Sequence, residues 1–330
     1  MAVKIGIPRA MMYYEYIPLW KRFFEEIGAE IVLSEHTTKN ILNDGVKNCI
    51  DEACLPVKIF HGHVMNLKDR VDYLFIPRLT SVAYREYICP KVGGLPDMIK
   101  YSISGLPPII DTEINLRNIA FGKPERALLK AFERIGGYVT RDKKIIKRAF
   151  ELGMDEYRNF QKSLLQGYLP DEGNSILKVK NSELNIAIIG HVYNLYDSFI
   201  NMNLLKRLQR ENIHIITPEN LPEEEIIKRA DTLPKKMYWT FGKRLLGSVL
   251  YIIEQNDIDG IIYIMSFGCG IDAFVADISE RRVRRETDIP FFLITLDEHS
   301  GEAGFNTRIE AFIDLIKRRK RLENNLSAYG

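Results

Sequence analysis

The chain has 330 residues, with 46 Lys and Arg against 44 Asp and Glu, a formal net charge of +2. That near-balance gives no broad field to steer nucleic acid or anionic lipid. With 46% hydrophobic and 27% charged side chains, the composition is that of a folded chain of two or three domains and excludes long disordered segments.

Val3–Ile7 is a short apolar run closed by Pro8 and reads as a buried strand. Leu19, Trp20, Phe23, Phe24 and Ile27 then mark one face of a helix that Gly28 stops. Glu30–Leu33 is the next strand, Thr38–Val46 begins a helix, and Tyr73–Ile76, ended by Pro77, is a third strand. Strands separated by helices at this spacing imply a parallel sheet covered on both faces. From Pro124 to about Leu169 the pattern is helical. Ala127, Leu128, Ala131 and Phe132 form one stripe, and Ile145, Ile146 and Phe150 another. Pro170-Asp-Glu-Gly-Asn-Ser is a turn-rich break.

The alternation then restarts. Leu184–Ile189 is a strand closed by Gly190, Asn201–Arg210 is helical, and His214–Ile216 is the next strand. Tyr238–Glu254 is a long helix, Gly260–Met265 and Phe291–Leu296 are strands, and Ile309–Leu322 is a terminal amphipathic helix. The basic runs Arg281–Arg285 and Lys317–Arg321 end helical patterns, where cations complement the dipole. The reading is α/β: two Rossmann-like or flavodoxin-like parallel-sheet units joined by a helical connector, with a site expected in the cleft between strand ends. Its boundaries are 1–120 for an N-terminal α/β domain, 121–180 for the connector and 181–330 for a C-terminal α/β domain.

No run approaches the ~18 consecutive apolar residues of a membrane span. Met1-Ala-Val-Lys-Ile-Gly-Ile-Pro turns straight into a strand without the regions of a signal peptide. The expected location is cytoplasmic. Disulfides are rare there, so the 4 cysteines point to ligation, catalysis or core packing.

In open α/β sheets, ligands collect beyond the carboxyl ends of the strands. Cys269 follows the strand Gly260–Met265 in Ser266-Phe-Gly-Cys-Gly-Ile-Asp, where flanking glycines let the backbone approach a bulky ligand. Cys89 lies in Tyr87-Ile-Cys-Pro-Lys, in the loop after Tyr73–Ile76. Cys54 lies in Glu52-Ala-Cys-Leu-Pro-Val-Lys, before a helical stretch with Pro56 near its first turn. A thiolate before a helix is stabilised by the dipole and by free backbone amides, which also donate to cluster sulfurs. Cys49 falls in the helical run Ile41–Ile50, where a small buried thiol is expected. No pair forms Cys-x-x-Cys, so spacing alone leaves Cys54, Cys89 and Cys269 open between buried thiols and a shared metal site.

Other candidates stand beside the cysteines. His61 and His63 flank Gly62 and can complete a Cys/His zinc site, donate to a bound group, or sit as satisfied core histidines. Arg78, at the end of the third strand, offers a planar fork for carboxylate or phosphate, or an ordinary ion pair. His299 and Glu302, after the last strand, are candidate acid–base groups, with helix capping as the rival role for Glu302. Tyr13, Tyr14 and Tyr16 read as packing. No Gly-x-x-x-x-Gly-Lys-Ser/Thr loop marks the chain as an ATPase, and no feature identifies a CoA pocket.

Gly6-Ile-Pro-Arg-Ala, Tyr13-Tyr-Glu-Tyr-Ile-Pro-Leu-Trp, Glu52-Ala-Cys-Leu-Pro-Val-Lys, Phe60-His-Gly-His, Pro77-Arg and Cys89-Pro-Lys form an ordered series. Gly94-Leu-Pro-Asp, Ser266-Phe-Gly-Cys-Gly and Asp297-Glu-His-Ser-Gly-Glu-Ala-Gly continue it. Together they resemble the proteins related to the 2-hydroxyacyl-CoA dehydratase D-component and the acyl-CoA dehydratase activase-associated proteins, over nearly the whole chain. The resemblance implies a 4Fe-4S cluster on three cysteines, carried over to Cys54, Cys89 and Cys269, with one iron left open. In dehydratases of that family an ATP-hydrolysing activator with its own cluster injects one electron. The thioester carbonyl of a 2-hydroxyacyl-CoA becomes a ketyl radical, hydroxyl leaves, and the electron is recovered.

Such dehydratases work as two related subunits, so the resemblance also implies a homologous D-component-like partner in a hetero- or homodimer. Relatives with a double-cubane cluster reduce small molecules and need more cysteine ligands than these. The alternatives are a non-catalytic cluster-bearing electron-transfer or scaffold subunit, a low-potential reductase, and a zinc protein using the same cysteines and a histidine.

Overall fold

The computed structural model describes residues 2–119, 124–169, 177, 182–255 and 257–327. The expected break at 170–175 and both ends of the connector as drawn from sequence lie outside these residues. Packing divides the chain into two compact units. Unit 1 holds Met1–Leu164 and Met237–Phe241, and unit 2 holds Leu165–Lys236 and Gly242–Gly330.

Unit 1 opens with β1 (Lys4–Ile7), α1 (Tyr13–Glu26) and β2 (Glu30–Leu33), as the apolar pattern requires. The α1 face of Leu19, Trp20, Phe23 and Phe24 is buried. Phe24 and Trp20 meet Phe75 edge-on at 5.0 and 5.1 Å. Gly28 ends the helix with φ +86°, a left-handed conformation that favours glycine. Next come α2 (Lys39–Lys47), α3 (Leu55–Leu67) and β3 (Tyr73–Phe75). Pro77 cannot donate to a ladder, and beyond it the chain resumes as β4 (Arg78–Ser81). Then follow α4 (Pro90–Gly93), α5 (Leu95–Ser102), β5 (Ile109–Ile110), β6 (Glu113–Asn115), α6 (Pro124–Gly136) and α7 (Lys143–Leu165). The main sheet has the order β2-β1-β3-β5, all parallel, while β4 and β6 form a small parallel pair. The stripes of α6 and α7 close on α1: Phe132 lies 4.7 Å from Phe23 and 5.2 Å from Phe150, ring to ring.

Two glycines let α2 and α3 approach with backbone against backbone. A methyl group on Gly62 would stand 1.9 Å from the Ile41 carbonyl oxygen, and one on Gly45 would stand 1.9 Å from that of Lys58. Neither obstacle is a flexible side-chain end. Gly62→Ala is therefore expected to cost about 3 kcal/mol, at the upper end of overpacking effects. Both tryptophans, Trp20 and Trp239, lie in unit 1, so urea unfolding followed by fluorescence reports it. A loss under about 0.5 kcal/mol, the size of an ordinary surface change, would show that the helices can separate freely.

Unit 2 runs β7 (Leu184–Ile189), α8 (Val192–Tyr196), α9 (Leu204–Arg210), β8 (Ile213–Ile216) and α10 (Glu223–Ala230). It continues with α11 (Thr240–Gln255), β9 (Gly260–Ser266), α12 (Gly270–Glu286), β10 (Phe291–Leu296) and α13 (Glu302–Ser327). The sheet order is β10-β9-β7-β8, again all parallel. Ile186, Ile188, Ile189, Ile261, Ile262 and Ile264 are fully buried in its two central strands, as a sheet covered on both faces demands. The basic run of α12 is spent on its own helix: Arg281 pairs with Asp277, Arg282 with Glu286 and Arg284 with Glu280. The protein is thus an α/β fold of two parallel-sheet units. No helix among the described residues is long and apolar enough to cross a membrane.

Candidate metal centre

Cys54, Cys89 and Cys269 share one structural role. They are the N-cap residues of α3, α4 and α12 respectively, with φ/ψ of −68°/154°, −47°/131° and −92°/97°. In each case the cysteine carbonyl accepts a hydrogen bond from a backbone N–H three or four residues on, which starts the turn.

In unit 1, Pro56 fixes the first turn of α3 and Pro90 that of α4. The two loops meet where the Lys91 ammonium donates to the Glu52 carbonyl at 3.4 Å. Burial pushes the Cys54 thiol up in pKa. The Lys91 charge opposes that shift, and Cys89 adds to it, so the two cysteines lie within electrostatic reach. Cys49 joins them. Sequence periodicity carried the helix through Ile50, but α2 stops at Lys47, where Asn48 caps it with its side-chain amide on the Asp44 carbonyl at 2.8 Å. Cys49 therefore lies beyond the helix. Its thiol is pushed up to about 11 by burial, against the Lys58 charge, and it senses Cys54.

In unit 2 the gathered residues come from two adjacent strands. β7 ends at Ile189 and leads through Gly190 to His191, the N-cap of α8. β9 ends at Ser266 and leads through Gly268 (φ +78°) to Cys269. Asp272 sits in the first turn of α12, fully buried. One ligand atom from each of His191, Cys269 and Asp272 falls within 4.8 Å of the others. The Tyr263 hydroxyl donates to Asp272 Oδ1 at 2.7 Å, and His191 Nε2 lies 4.0 Å from the same oxygen. Ser266 Oγ donates to Asn194 Oδ1 at 2.8 Å. Burial lowers the His191 pKa against the pull of Asp272, and burial raises Asp272 against His191. Burial and the adjacent Asp272 hold Tyr263 well above the usual phenol value.

These residues fit a thiophilic metal group. The donors gathered in unit 2 are one thiol sulfur, one imidazole nitrogen and one carboxylate oxygen, and thiol with imidazole is donor chemistry that zinc and iron–sulfur sites use. Two buried polar atoms, Asp272 Oδ2 and the Nδ2 of Asn194, whose Oδ1 accepts from Ser266, have no hydrogen-bond partner among the described residues. A methyl group built on Gly270, next to Cys269, would meet no atom within 4 Å.

The remaining sequence candidates stand elsewhere. Arg78 grips the Asp97 carboxylate with both terminal nitrogens, at 2.7 and 2.9 Å, and also donates to the Gly93 carbonyl at 3.3 Å. It ties β4 to α5. His61 is buried, with Nδ1 on the Val57 carbonyl at 2.8 Å. His63 places Nδ1 2.8 Å from Ser34 Oγ and Nε2 3.0 Å from Thr37 Oγ1, so hydroxyls occupy both ring nitrogens. His299 is exposed, in a turn where its N–H and the Ser300 hydroxyl both donate to Asp297 Oδ1. Glu302 is the exposed first residue of α13. Neither belongs to the group gathered at Cys269. Sequence reading passed over His191 and Asp272, although the rule that singled out Cys269 applies equally to His191 at the end of β7.

Two parallel-sheet units, with Cys54, Cys89 and Cys269 at helix N-caps, define a protein of the open-sheet α/β class. The family model described as CoA enzyme activase uncharacterised domain matches residues 4–221, more than half of the chain, and the chain belongs to that family. The model of the 2-hydroxyglutaryl-CoA dehydratase D-component matches residues 201–316. A search of curated proteins finds no match. The chain is therefore a component of the dehydratase and activase type.

Proposed function

We propose that this chain is the cluster-bearing component of an ATP-activated 2-hydroxyacyl-CoA dehydratase, with Cys54, Cys89 and Cys269 as the thiolate ligands of a 4Fe-4S cluster. The observation that carries this reading is the shared N-cap position of those cysteines, which Cys49 lacks. When bound, such a cluster supplies one low-potential electron to the thioester carbonyl of the substrate, whose ketyl then expels the 2-hydroxyl group.

The chain's own residues do the rest. Cys54, Cys89 and Cys269 would hold the cluster, and three thiolates would leave it open to an external ligand, the openness that separates catalytic from closed metal sites. Lys91, whose charge opposes the burial shift of the Cys54 thiol, favours the thiolate and an anionic cluster. Backbone amides in the first turns of α3 and α12 offer donors to sulfur. Arg78, His299 and Glu302 remain candidates for handling the carboxylate, the thioester or the departing hydroxyl. The reading implies two partners: a homologous D-component-like subunit, and an ATP-hydrolysing activator with its own cluster.

A second reading draws on the larger of the two family matches, whose description names activases. In it the chain is an electron-transfer or scaffold subunit that never binds acyl-CoA. The experiment is anaerobic purification with metal analysis, followed by ATP-dependent reduction in the presence of an activator. Brown protein with about four irons per chain, bleached by the activator and perturbed spectrally by a 2-hydroxyacyl-CoA, is the expected outcome. Reduction without any response to acyl-CoA selects the second reading. Stoichiometric zinc without iron removes both.

A further inference from the structure

We propose that His191 is a positioning residue for Cys269, donating a ring N–H to its sulfur and so setting the electron affinity of the group that Cys269 holds. This rests on the reading that Cys269 is a cluster ligand. Three contacts fix the imidazole. Its backbone is pinned as the N-cap of α8 directly after β7. Tyr193 stacks on the ring with centroids 5.1 Å apart and planes at 21°. Asp272 stands 4.0 Å from Nε2 and is itself held by the Tyr263 hydroxyl at 2.7 Å. The ring is buried, stacked on one face and turned toward a carboxylate, and it has a nitrogen within 4.8 Å of Cys269 Sγ.

The chemistry follows from what a metal-bound thiolate can do. It carries no proton, so it can only accept a hydrogen bond. A neighbouring N–H that donates to it withdraws charge from the metal–sulfur bond, stabilises the reduced state and raises the potential. Histidine suits the place because a ring nitrogen lies within 4.8 Å of both the Cys269 sulfur and an Asp272 carboxylate oxygen, and a carboxylate beside a metal-site histidine helps set its orientation and tautomer. The ordinary alternative is a core histidine that only fills space. That role predicts that an apolar ring of similar size does as well.

The test uses the anaerobically purified full chain. His191→Phe keeps the ring and the stack on Tyr193 but removes the donor. His191→Gln restores an N–H of comparable reach. The expected result is unchanged iron per chain in both variants, a lower midpoint potential and altered electron paramagnetic resonance g values in His191→Phe, and recovery towards wild type in His191→Gln. Equal potentials in wild type and His191→Phe overturn the inference while leaving the cluster reading intact. Loss of iron from both variants also overturns it, since it makes His191 a ligand or a packing residue. Wild-type chain without iron overturns the cluster reading and this inference together. A measurement needing no variant closes the gap if His191→Phe does not fold: pulsed resonance on wild type labelled with ¹⁵N-histidine. A weak nitrogen coupling supports the donor role, whereas no coupling, or the strong coupling of a direct iron ligand, refutes it.

Discussion

Cys269→Ser is expected to abolish the iron content and brown colour proposed for the anaerobically purified protein, and Cys49→Ser to leave both in place. The two replacements remove the same atom type, and neither thiol is fully buried, so the difference isolates position. Cys269 starts α12 beyond the carboxyl end of β9, flanked by Gly268 with φ +78° and by Gly270, where an added methyl group would meet nothing within 4 Å. Serine keeps the N-cap; its hydroxyl is in fact a better cap than the thiol, so the fold should hold. What it removes is the thiolate, and with it one of three proposed anchors. Metal affinity should fall steeply because a serine hydroxyl is a poor replacement for a soft thiolate at an iron–sulfur site.

Cys49 is a harder control than a distant cysteine would be. It follows the end of α2, senses Cys54, and has a thiol pushed up to about 11 by burial. Burial raises the Cys54 thiol in the same direction, so what separates Cys49 from the proposed ligands is its place outside any helix N-cap. If Cys49→Ser loses iron as completely as Cys269→Ser, then Cys49 belongs to the ligand set and the N-cap criterion is wrong. Circular dichroism of each variant separates loss of metal from loss of fold.

The cysteines were legible because chain order and hydrophobic pattern place strands well. Cys269 follows the apolar run Gly260–Met265, and the observed β9 covers it with one more residue. Prolines two residues after Cys54 and one after Cys89 announce helix starts. Cys49 was misplaced because Ile41, Leu42 and Gly45 give a helical stripe that says nothing about where the helix stops. That stop comes from the Asn48 side chain turning back on the Asp44 carbonyl. Two-residue β5 and three-residue β6 carry too few residues for any period to show. His191 and Asp272 were invisible for a different reason. Each is unremarkable in its own segment, and only the β7–β9 pairing brings them together. Arg78 shows the converse. Its planar fork was visible, but that it closes on Asp97 is a matter of tertiary packing.

His63 yields the second large expected effect: wild-type unit 1 should lose stability on acidification from pH 6.5 towards 3, and His63→Gln should remove that part of the loss. The ring is fully buried, with Nδ1 on Ser34 and Nε2 on Thr37. Ser34 Oγ also accepts the Arg9 N–H at 2.8 Å, and the Arg9 side chain donates to the Ser34 carbonyl at 2.8 Å. The network thus joins α3, which starts at Cys54, to the residues just beyond β1 and β2. Burial, with Arg9 and His36 adding positive charge, lowers the His63 pKa from 6.5 to about 3. The sign follows from proton counting. Between those values the unfolded chain binds a proton that the folded chain refuses, so falling pH favours unfolding. The contribution is complete above 6.5 and gone below the folded pKa, and the whole gap is worth roughly 4–5 kcal/mol. By pH 5 about 2 kcal/mol of it should be lost. Glutamine keeps a donor and an acceptor for the two hydroxyls but does not titrate, so it starts from a modest penalty and carries no such slope. Urea unfolding at pH 7 and pH 5, read by the unit 1 tryptophans, measures the difference directly. If wild type and His63→Gln lose equal stability between those two pH values, His63 is already protonated in the folded protein, and the Ser34–His63–Thr37 network must be assigned the other way round.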